Sequence, residues 1–316
     1  MELSRLHGIF TPTLTPLTPE ETVDEPSLRR LVDFLIEAGV HGLWVMGTTG
    51  EFPCLPETER ARAVAIAVEQ AAGRVPVVAN VGDSSTALAL RHARHAAEAG
   101  ADGLASTPPH YFPHTMDETV AHFRALKEAH PELPLLAYNI PQTVKVRMTL
   151  DAVLTLAREG VCAGIKDSQN DLEWFRSLVL ALRGEGLAER FRCFLGSRIL
   201  IDAGLVIGAA GAVPAVSNVA PSACVAVYEA VRRGDPAAAA AAQELAIRFE
   251  DLKLVAGGGS GNAASLGTMK HVLRLWGVID HATLSRPLRP LAPGEVEELR
   301  RRLAGLPRPA GVTAMA

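Results

Sequence analysis

Three related stretches of sequence decide the fold: EAGVHG at residues 37–42, EAGADG at residues 98–103 and EGVCAG at residues 159–164. Each follows a helix-like segment and precedes a short run of strand-forming residues, and their starts are 61 positions apart (98 − 37 and 159 − 98). The inner glycine of each stretch is expected to end a helix, because the residue after a helix often needs a left-handed conformation. Two strand–helix units fit into each interval.

Further strands complete the pattern. Segments 76–80 and 134–138 each follow an amphipathic helix and open with proline, which is tolerated as the first residue of a strand. Additional strands are expected near residues 8–13, 191–195 and 211–214. Eight short strands alternating with helices favour the α/β class and, within it, a (β/α)8 TIM barrel.

The chain becomes wholly helical after residue 219. Its pattern predicts helices at 221–232, 236–255, 263–276 and 293–304, with Asp235 as N-cap and Pro236 at the first position of the second. We therefore expect a barrel over residues 1–219, a C-terminal helical region over 220–306 and a flexible tail over 307–316. The glycine-rich stretch 257–261 is expected to be a flexible connector, with a substrate-facing loop as the alternative.

Composition excludes several classes of protein. A net charge of −4, 48% hydrophobic residues and 21% charged residues are typical of a compact soluble protein, and no basic block suits nucleic acid. We see no signal peptide and no apolar run long enough for a bilayer, so a cytoplasmic protein without a membrane partner is expected. The histidine spacing predicts no metal site, and the cysteines at 54, 162, 193 and 224 are expected to be reduced core residues.

Lys166 is the first candidate for chemistry, because the active site of a barrel lies at the carboxyl ends of its strands. Strand alternation predicts that Lys166 shares a face with Gly164 and Cys162, opposite Ile165. If that face is inward, burial lowers the pKa of the amine and makes it a nucleophile for a carbonyl. The alternative is a lysine at a strand end that reaches solvent.

Two more strand ends carry polar motifs. Tyr138 ends the preceding strand, where its phenol can relay protons near an imine; the alternative is a core aromatic. GTTG at residues 47–50 combines backbone N–H groups with two hydroxyls, which suits a carboxylate. The alternative for this motif is an ordinary strand–helix turn with threonine as a helix cap.

With these motifs the chain resembles the dihydrodipicolinate synthase and N-acetylneuraminate lyase family of class I pyruvate aldolases, which are tetrameric barrels in many members. The resemblance implies that Lys166 forms an imine with a 2-oxo acid, that Tyr138 relays protons, and that Thr48 and Thr49 hold the carboxylate and complete the relay. It spans nearly the whole chain, through Gly8-Ile9-Phe10, Thr15-Pro16, GTTGE at 47–51, TPPHY at 107–111, YNIP at 138–141, GIKDS at 164–168, Gly196 and Gly211-Ala212-Val213.

The resemblance implies further binding residues. Gly47 belongs to the carboxylate-binding motif, and Gly196 and Val213 match residues that line the pyruvate pocket. Tyr111 matches a tyrosine that completes the proton relay across a subunit contact in synthases of the family. A homotetramer or a homodimer is the assembly expected on this basis.

The departures from the family pattern concern the second substrate. Thr143 stands where synthases that use aspartate semialdehyde place an arginine, and Lys145 or Arg147 can replace it only through a different loop path. Sialate lyases have acidic residues where this chain has Ser197 and Arg198. Arg198 is either a surface residue at a helix start or a partner for an anionic end of the substrate.

The residues after Lys166 also leave two interpretations open. Asp167 and Ser168 orient the lysine strand, or Ser168 caps a helix that begins at Gln169.

The leading expectation is a Schiff-base-forming lyase. It cleaves or forms 4-hydroxy-2-oxo acids, of the 2-keto-3-deoxy sugar acid or 4-hydroxy-2-oxoglutarate type, with pyruvate and an aldehyde as products. The imine of Lys166 acts as the electron sink, so no organic cofactor is expected. The alternatives are a dehydratase of a deoxy-keto sugar acid, a dihydrodipicolinate synthase, which Thr143 disfavours, and a non-catalytic relative that binds 2-oxo acids.

Overall fold

Eight parallel strands form a closed barrel in chain order, with the first strand paired to both the second and the eighth. The structure is a computed structural model and describes residues 2–309. It confirms the predicted TIM barrel. The strands are β1 (Gly8–Pro12), β2 (Gly42–Val45), β3 (Val77–Asn80), β4 (Gly103–Ser106), β5 (Leu135–Asn139), β6 (Gly164–Asp167), β7 (Arg192–Leu195) and β8 (Gly211–Ala212).

Helices surround the barrel and continue beyond it. They are α1 (Glu25–Glu37), α2 (Glu57–Ala71), α3 (Thr86–Glu98), α4 (Met116–Ala129), α5 (Pro141–Val144), α6 (Leu150–Arg158), α7 (Leu172–Gly184), α8 (Ile201–Ile207), α9 (Pro221–Arg232), α10 (Pro236–Glu250), α11 (Gly261–Leu275) and α12 (Pro293–Leu303). Short 3-10 helices cover Leu3–Arg5, Thr48–Gly50, Phe52–Cys54, Ala215–Asn218 and Asp251–Val255.

The predicted helix-ending glycines are confirmed. Gly39, Gly100 and Gly160 follow α1, α3 and α6 with φ values of 87°, 83° and 67°. These left-handed conformations strain residues that have a Cβ atom, so glycine ends each helix and turns the chain toward the next strand.

Two apolar layers result from strand alternation. One layer fills the inside of the barrel, with Phe10, Trp44 and Phe194 among its members, and the other lies between the strands and the helices. On β6, Ile165 belongs to the outer layer, whereas Lys166 lies against aromatic rings of the inner one. The predicted inward position of Lys166 is therefore confirmed.

The prediction for the four cysteines is partly wrong. Cys162 was expected on the inward face, but it lies before β6 begins and packs in the outer layer. Cys162, Cys193 and Cys224 are all buried as expected. Cys54 is exposed, because it lies in a short 3-10 turn after β2 and not on the buried face of a strand or helix.

The C-terminal helices agree closely with the predicted ones. Asp235 caps α10 by accepting a hydrogen bond from the N–H of Ala238 (3.0 Å), and Pro236 is its first residue. The expected helix 236–255 is α10 followed by the 3-10 helix, a common way for a helix to end.

The predicted division at residue 219 separates α9 from the barrel, and in the structure α9 packs against β1 and α8. Residues 310–316 of the predicted tail lie outside the described residues. Within residues 2–309, no helix is long and apolar enough to cross a membrane.

Candidate active site

A cavity of about 590 Å³ lies at the carboxyl ends of the barrel strands. Its wall includes Pro12 at the end of β1, Ile140 after β5 and Ala215 after β8. Six of the residues predicted from the sequence line it together: Thr48, Thr49, Tyr138, Lys166, Gly196 and Val213.

Lys166 is almost fully buried in this cavity, with 3% of its surface exposed. It pairs in register with Tyr138 on β5, and its Nζ lies 4.1 Å from the centre of the Tyr138 ring and 5.0 Å from that of Trp44. Burial lowers the pKa of the Lys166 amine, and the charge and hydrogen bonding of Tyr138 oppose this effect only in part. At a given pH, the neutral fraction of the Lys166 amine is therefore larger than that of an exposed lysine.

Tyr138 connects the lysine to the turn after β2. Its hydroxyl lies 3.3 Å from the Oγ1 of Thr48, and either oxygen can donate the hydrogen bond. The ring packs edge-on against Trp44, with 5.9 Å between ring centres, and only 2% of the residue is exposed. The phenol is thus held in one place between an amine and a hydroxyl, the arrangement that a proton relay needs.

The turn that follows β2 is a 3-10 helix over Thr48–Gly50. Thr15 fixes it by donating a hydrogen bond from Oγ1 to the carbonyl of Gly50 (2.8 Å). Among the described residues, the backbone N–H groups of Thr48 and Thr49 have no hydrogen-bond partner. These two N–H groups and the hydroxyl of Thr49 therefore remain for a carboxylate, and the hydroxyl of Thr48 can donate to it as well when Tyr138 donates the hydrogen bond that the two share. Gly47 lies against Trp44 and is not part of the cavity lining.

Gly196 and Val213 form the opposite wall of the cavity. A Cβ atom on Gly196 would lie 1.9 Å from the hydroxyl of Ser168, so only glycine fits beside that serine. Ser168 itself lines the cavity. The interpretation of Ser168 as a helix cap is wrong, because α7 begins at Leu172 and its N-cap is Asp171.

Asp167 holds the end of β5 beside the lysine strand. It is fully buried and accepts a hydrogen bond from Nδ2 of Asn139 (2.7 Å), while Oδ1 of Asn139 accepts one from the N–H of Met148 (3.2 Å). Burial raises the pKa of Asp167 to about 7, and the hydrogen bond from Asn139 acts in the opposite direction. These contacts favour the interpretation that Asp167 orients the strand that carries Lys166.

Like Gly47, Tyr111 is a predicted site residue that does not line the cavity of the single chain. It is 82% exposed and has a φ of 87°, and its ring packs edge-on against that of Phe112, with 5.3 Å between ring centres. A role in the relay therefore stays a prediction that requires a second copy of the chain.

The C-terminal region supplies part of the cavity, and from this region the sequence offered only a substrate-facing loop at residues 257–261, as the alternative to a connector. Gly261 lines the rim, so the end of the glycine-rich stretch matches the substrate-facing alternative in place of a plain connector. For the lining residues that follow this stretch, the only indication in the sequence was the polar character of Asn262 and Ser265. The remaining lining residues from this region are Lys253, Leu254, Ala256, Ala264, Leu266 and Met269.

The positions expected to recognise a second substrate differ in their placement. Thr143 and Arg198 line the cavity, whereas Lys145 and Arg147 do not. Arg147 instead donates to Oε1 of Gln169 (2.7 Å) and is hydrogen-bonded to Asp171. Neither Lys145 nor Arg147 therefore reaches the cavity from its position in this loop. Within residues 2–309, no group of three His, Cys, Asp or Glu residues is placed to hold a metal ion.

Comparisons with known proteins identify the family of this chain. The model of the dihydrodipicolinate synthetase family matches residues 5–305. An uncharacterized DapA-like lyase of Halobacterium salinarum is 37% identical over 238 residues, which cover 75% of this chain and 76% of the relative. A 4-hydroxy-tetrahydrodipicolinate synthase of Thermomicrobium roseum is 34% identical over 309 residues, covering 98% and 97%.

Solved structures lead to the same family. The crystal structure of YagE from E. coli K12, a prophage protein of the dihydrodipicolinic acid synthase family in complex with pyruvate, has a TM-score of 0.87 and 27% identity, covering 95% of this chain and 98% of that one. The predicted family and the predicted enzyme class, a carbon–carbon lyase, are both confirmed. The chain belongs to the dihydrodipicolinate synthetase family.

Proposed function

We propose that this lyase cleaves or forms a 4-hydroxy-2-oxo acid through a Schiff base on Lys166, with pyruvate and an aldehyde as the two fragments. The observation that supports it best is the buried Lys166 amine, 4.1 Å from the Tyr138 ring in a cavity that also contains Thr48 and Thr49. The known complex of YagE with pyruvate supports the same choice of 2-oxo acid.

The first half of the reaction forms the imine. The hydroxyls and N–H groups of Thr48 and Thr49 hold the substrate carboxylate, so that its neighbouring carbonyl carbon faces Nζ of Lys166. The neutral amine adds to that carbon, and the resulting carbinolamine loses its oxygen as water. Tyr138 donates the proton that the departing hydroxyl needs. Thr48 then passes a proton to the phenolate and takes up one from water in its place.

The second half breaks the bond between C3 and C4. A base in the relay removes the proton of the 4-hydroxyl, the aldehyde leaves, and the bonding electrons pass into the protonated imine to give an enamine. Protonation at C3 and addition of water then release pyruvate and restore the amine. The imine is the electron sink throughout, so the proposed reaction needs no organic cofactor.

Borohydride trapping tests this proposal. The chain is incubated with pyruvate and borohydride, and its peptides are mapped by mass for the added reduced pyruvyl group. Modification is expected at Lys166 and to be absent from Lys253, a more exposed lysine of the same cavity that serves as an internal control. An unmodified Lys166 peptide would contradict the proposal, and so would equal labelling of both lysines.

Two other activities use the same imine. A dehydratase would expel a hydroxyl after loss of a C3 proton, and analysis of the products distinguishes it from the lyase. A dihydrodipicolinate synthase must also bind the carboxylate of its second substrate. Thr143 is in the position of the family's arginine, and Arg147 is hydrogen-bonded to residues outside the cavity. Both observations weaken this assignment. The remaining alternative is a non-catalytic relative that binds 2-oxo acids. Unchanged turnover in the Lys166→Ala variant would favour it.

The active assembly is part of the proposal. We expect a homotetramer or homodimer in which Tyr111 of one chain reaches the relay of another, since this aromatic side chain is 82% exposed and does not contact its own cavity. Sedimentation of Tyr111→Ala, compared with the wild type, tests whether this residue lies at a contact between copies.

A further inference from the structure

The charged residues of the cavity wall all have the same sign. They are Lys166, Arg198 and Lys253, and within residues 2–309 no aspartate or glutamate lines the cavity. A wall with this charge favours a substrate that is anionic at more than one place. Lys166 and the threonine turn account for the 2-oxo acid end. Arg198 and Lys253 remain at the rim.

One buried carboxylate, that of Glu250, serves both rim cations. Its Oε1 lies 3.0 Å from Nε of Arg198 and 2.5 Å from Nζ of Lys253, and its side chain is only 5% exposed. The three groups come from the loop after β7, the end of α10 and the 3-10 helix that follows it. Two cations against one carboxylate leave a net positive charge at the rim.

Arg198 has donors available. Glu250 contacts it on the Nε side, and among the described residues its two terminal nitrogens have no hydrogen-bond partner. The side chain is 38% exposed and lines the cavity. A guanidinium held at one edge and open at the other matches the two oxygens of a carboxylate or phosphate.

We propose that Arg198, with Lys253 and Glu250 as its support, binds an oxyanion at the end of the substrate remote from the 2-oxo acid. This inference rests on the proposed function and narrows its substrate class to dianionic 4-hydroxy-2-oxo acids. The remote group is a carboxylate or a phosphate. Neutral polyol chains become poor substrates, because they offer no anion to the open side of the Arg198 guanidinium.

Binding of two uncleavable analogues tests the anion contact without requiring turnover. Isothermal titration compares 2-oxoglutarate, which has a remote carboxylate, with 2-oxohexanoate, which has a methyl end. We expect 2-oxoglutarate to bind at least about tenfold more tightly to the wild type, as a charge-assisted hydrogen bond allows. Arg198→Met should abolish this preference, and Arg198→Lys should keep part of it.

The matched control is Arg176→Met, which removes an exposed arginine of α7 outside the cavity and should keep the full preference. Pyruvate labelling of Lys166 should be the same in the wild type and in Arg198→Met, because pyruvate has no remote group. Equal affinity of the wild type for both analogues would overturn the inference. A loss of affinity for 2-oxohexanoate equal to that for 2-oxoglutarate in Arg198→Met would do so as well.

Turnover then identifies the anion. The kcat/KM values of 4-hydroxy-2-oxoglutarate and 2-keto-3-deoxy-6-phosphogluconate distinguish a carboxylate from a phosphate. The reference is 2-keto-3-deoxygluconate, which has the same 2-oxo acid but an uncharged remote end. A preference for 2-keto-3-deoxygluconate, with a turnover that Arg198→Met does not change, contradicts the inference. Failure of pyruvate to label Lys166 contradicts the proposed function instead, while the titration still reports on Arg198.

Discussion

Lys270 and Glu51 form an ion pair in the interior, with 2.5 Å between Nζ and Oε1 and side chains that are 0% and 1% exposed. Lys270 also donates to the carbonyl of Thr283 (2.6 Å), and Glu51 accepts from the N–H of Ser285 (2.8 Å). Glu51 directly follows the Thr48–Gly50 turn. The pair therefore ties the turn proposed to bind the substrate carboxylate to the C-terminal part of the chain.

Lys270→Met should lower the free energy of unfolding by about 3–5 kcal/mol, because it leaves the Glu51 carboxylate buried without a cation. The double variant Glu51→Gln with Lys270→Met should lose less, since it buries no unpaired charge. Urea unfolding measures both. Arg176→Met, a surface change, should stay within about 0.5 kcal/mol of the wild type. A double variant as unstable as Lys270→Met, or less stable than it, would contradict this prediction.

The barrel and the centre of its site follow from local sequence properties. Glycines such as Gly39 mark helix ends, and strand alternation fixes on which face a side chain lies. These rules were enough to place Lys166 and Tyr138 inside the barrel on adjacent strands. The alternation rule failed for Cys162, because this residue lies before the strand begins and alternation applies only within a strand.

Contacts between segments that are far apart in the chain could not be predicted from the sequence. Glu51 and Lys270 are 219 positions apart (270 − 51), and no local pattern predicts that a lysine within a helix will meet a glutamate after β2. The rim cation Lys253 was missed for the same reason. The glycine-rich stretch was interpreted as a connector because its composition gives flexibility but not position.

The amine of Lys166 should become reactive at a lower pH than an exposed lysine. Burial disfavours its ammonium form, so the pKa is lowered, and the neutral amine that attacks pyruvate increases as the pH rises through that lowered value. Initial rates of borohydride trapping, measured from pH 6 to pH 10, should reach a plateau below the ordinary lysine value of about 10.4. A midpoint at or above that value would contradict the predicted shift; Lys166→Ala gives the background at each pH.

Tyr138→Phe should reduce kcat by about 10²–10⁴-fold, because it removes the hydroxyl that exchanges protons near the imine. Thr48→Val removes the partner 3.3 Å from that hydroxyl and should have a smaller effect in the same direction. Steady-state kinetics with the substrate that releases most pyruvate gives both values. Tyr228→Phe is the control, since its hydroxyl contacts His7 outside the cavity and its loss should leave kcat unchanged.

His122 should make the protein less stable in mild acid. Its ring nitrogens lie 3.0 Å from the hydroxyls of Thr86 and Ser106. Burial, followed by the charge of His114, lowers the pKa of His122 from 6.5 to about 4. Between these two pH values the unfolded chain binds a proton that the folded chain does not, so stability falls as the pH decreases from about 6.5 to about 4.

Urea unfolding at pH 8 and pH 5 measures this contribution. The wild type should lose about 2 kcal/mol through His122 over this interval, the integral of the proton-binding difference at pH 5. The His122→Asn variant cannot take up this proton. Its loss of stability between pH 8 and pH 5 should therefore be smaller than that of the wild type by about 2 kcal/mol. The other buried histidines titrate in both proteins and cancel in the comparison. An equal loss in the two proteins would show that His122 is protonated in the folded chain at the same pH as in the unfolded one.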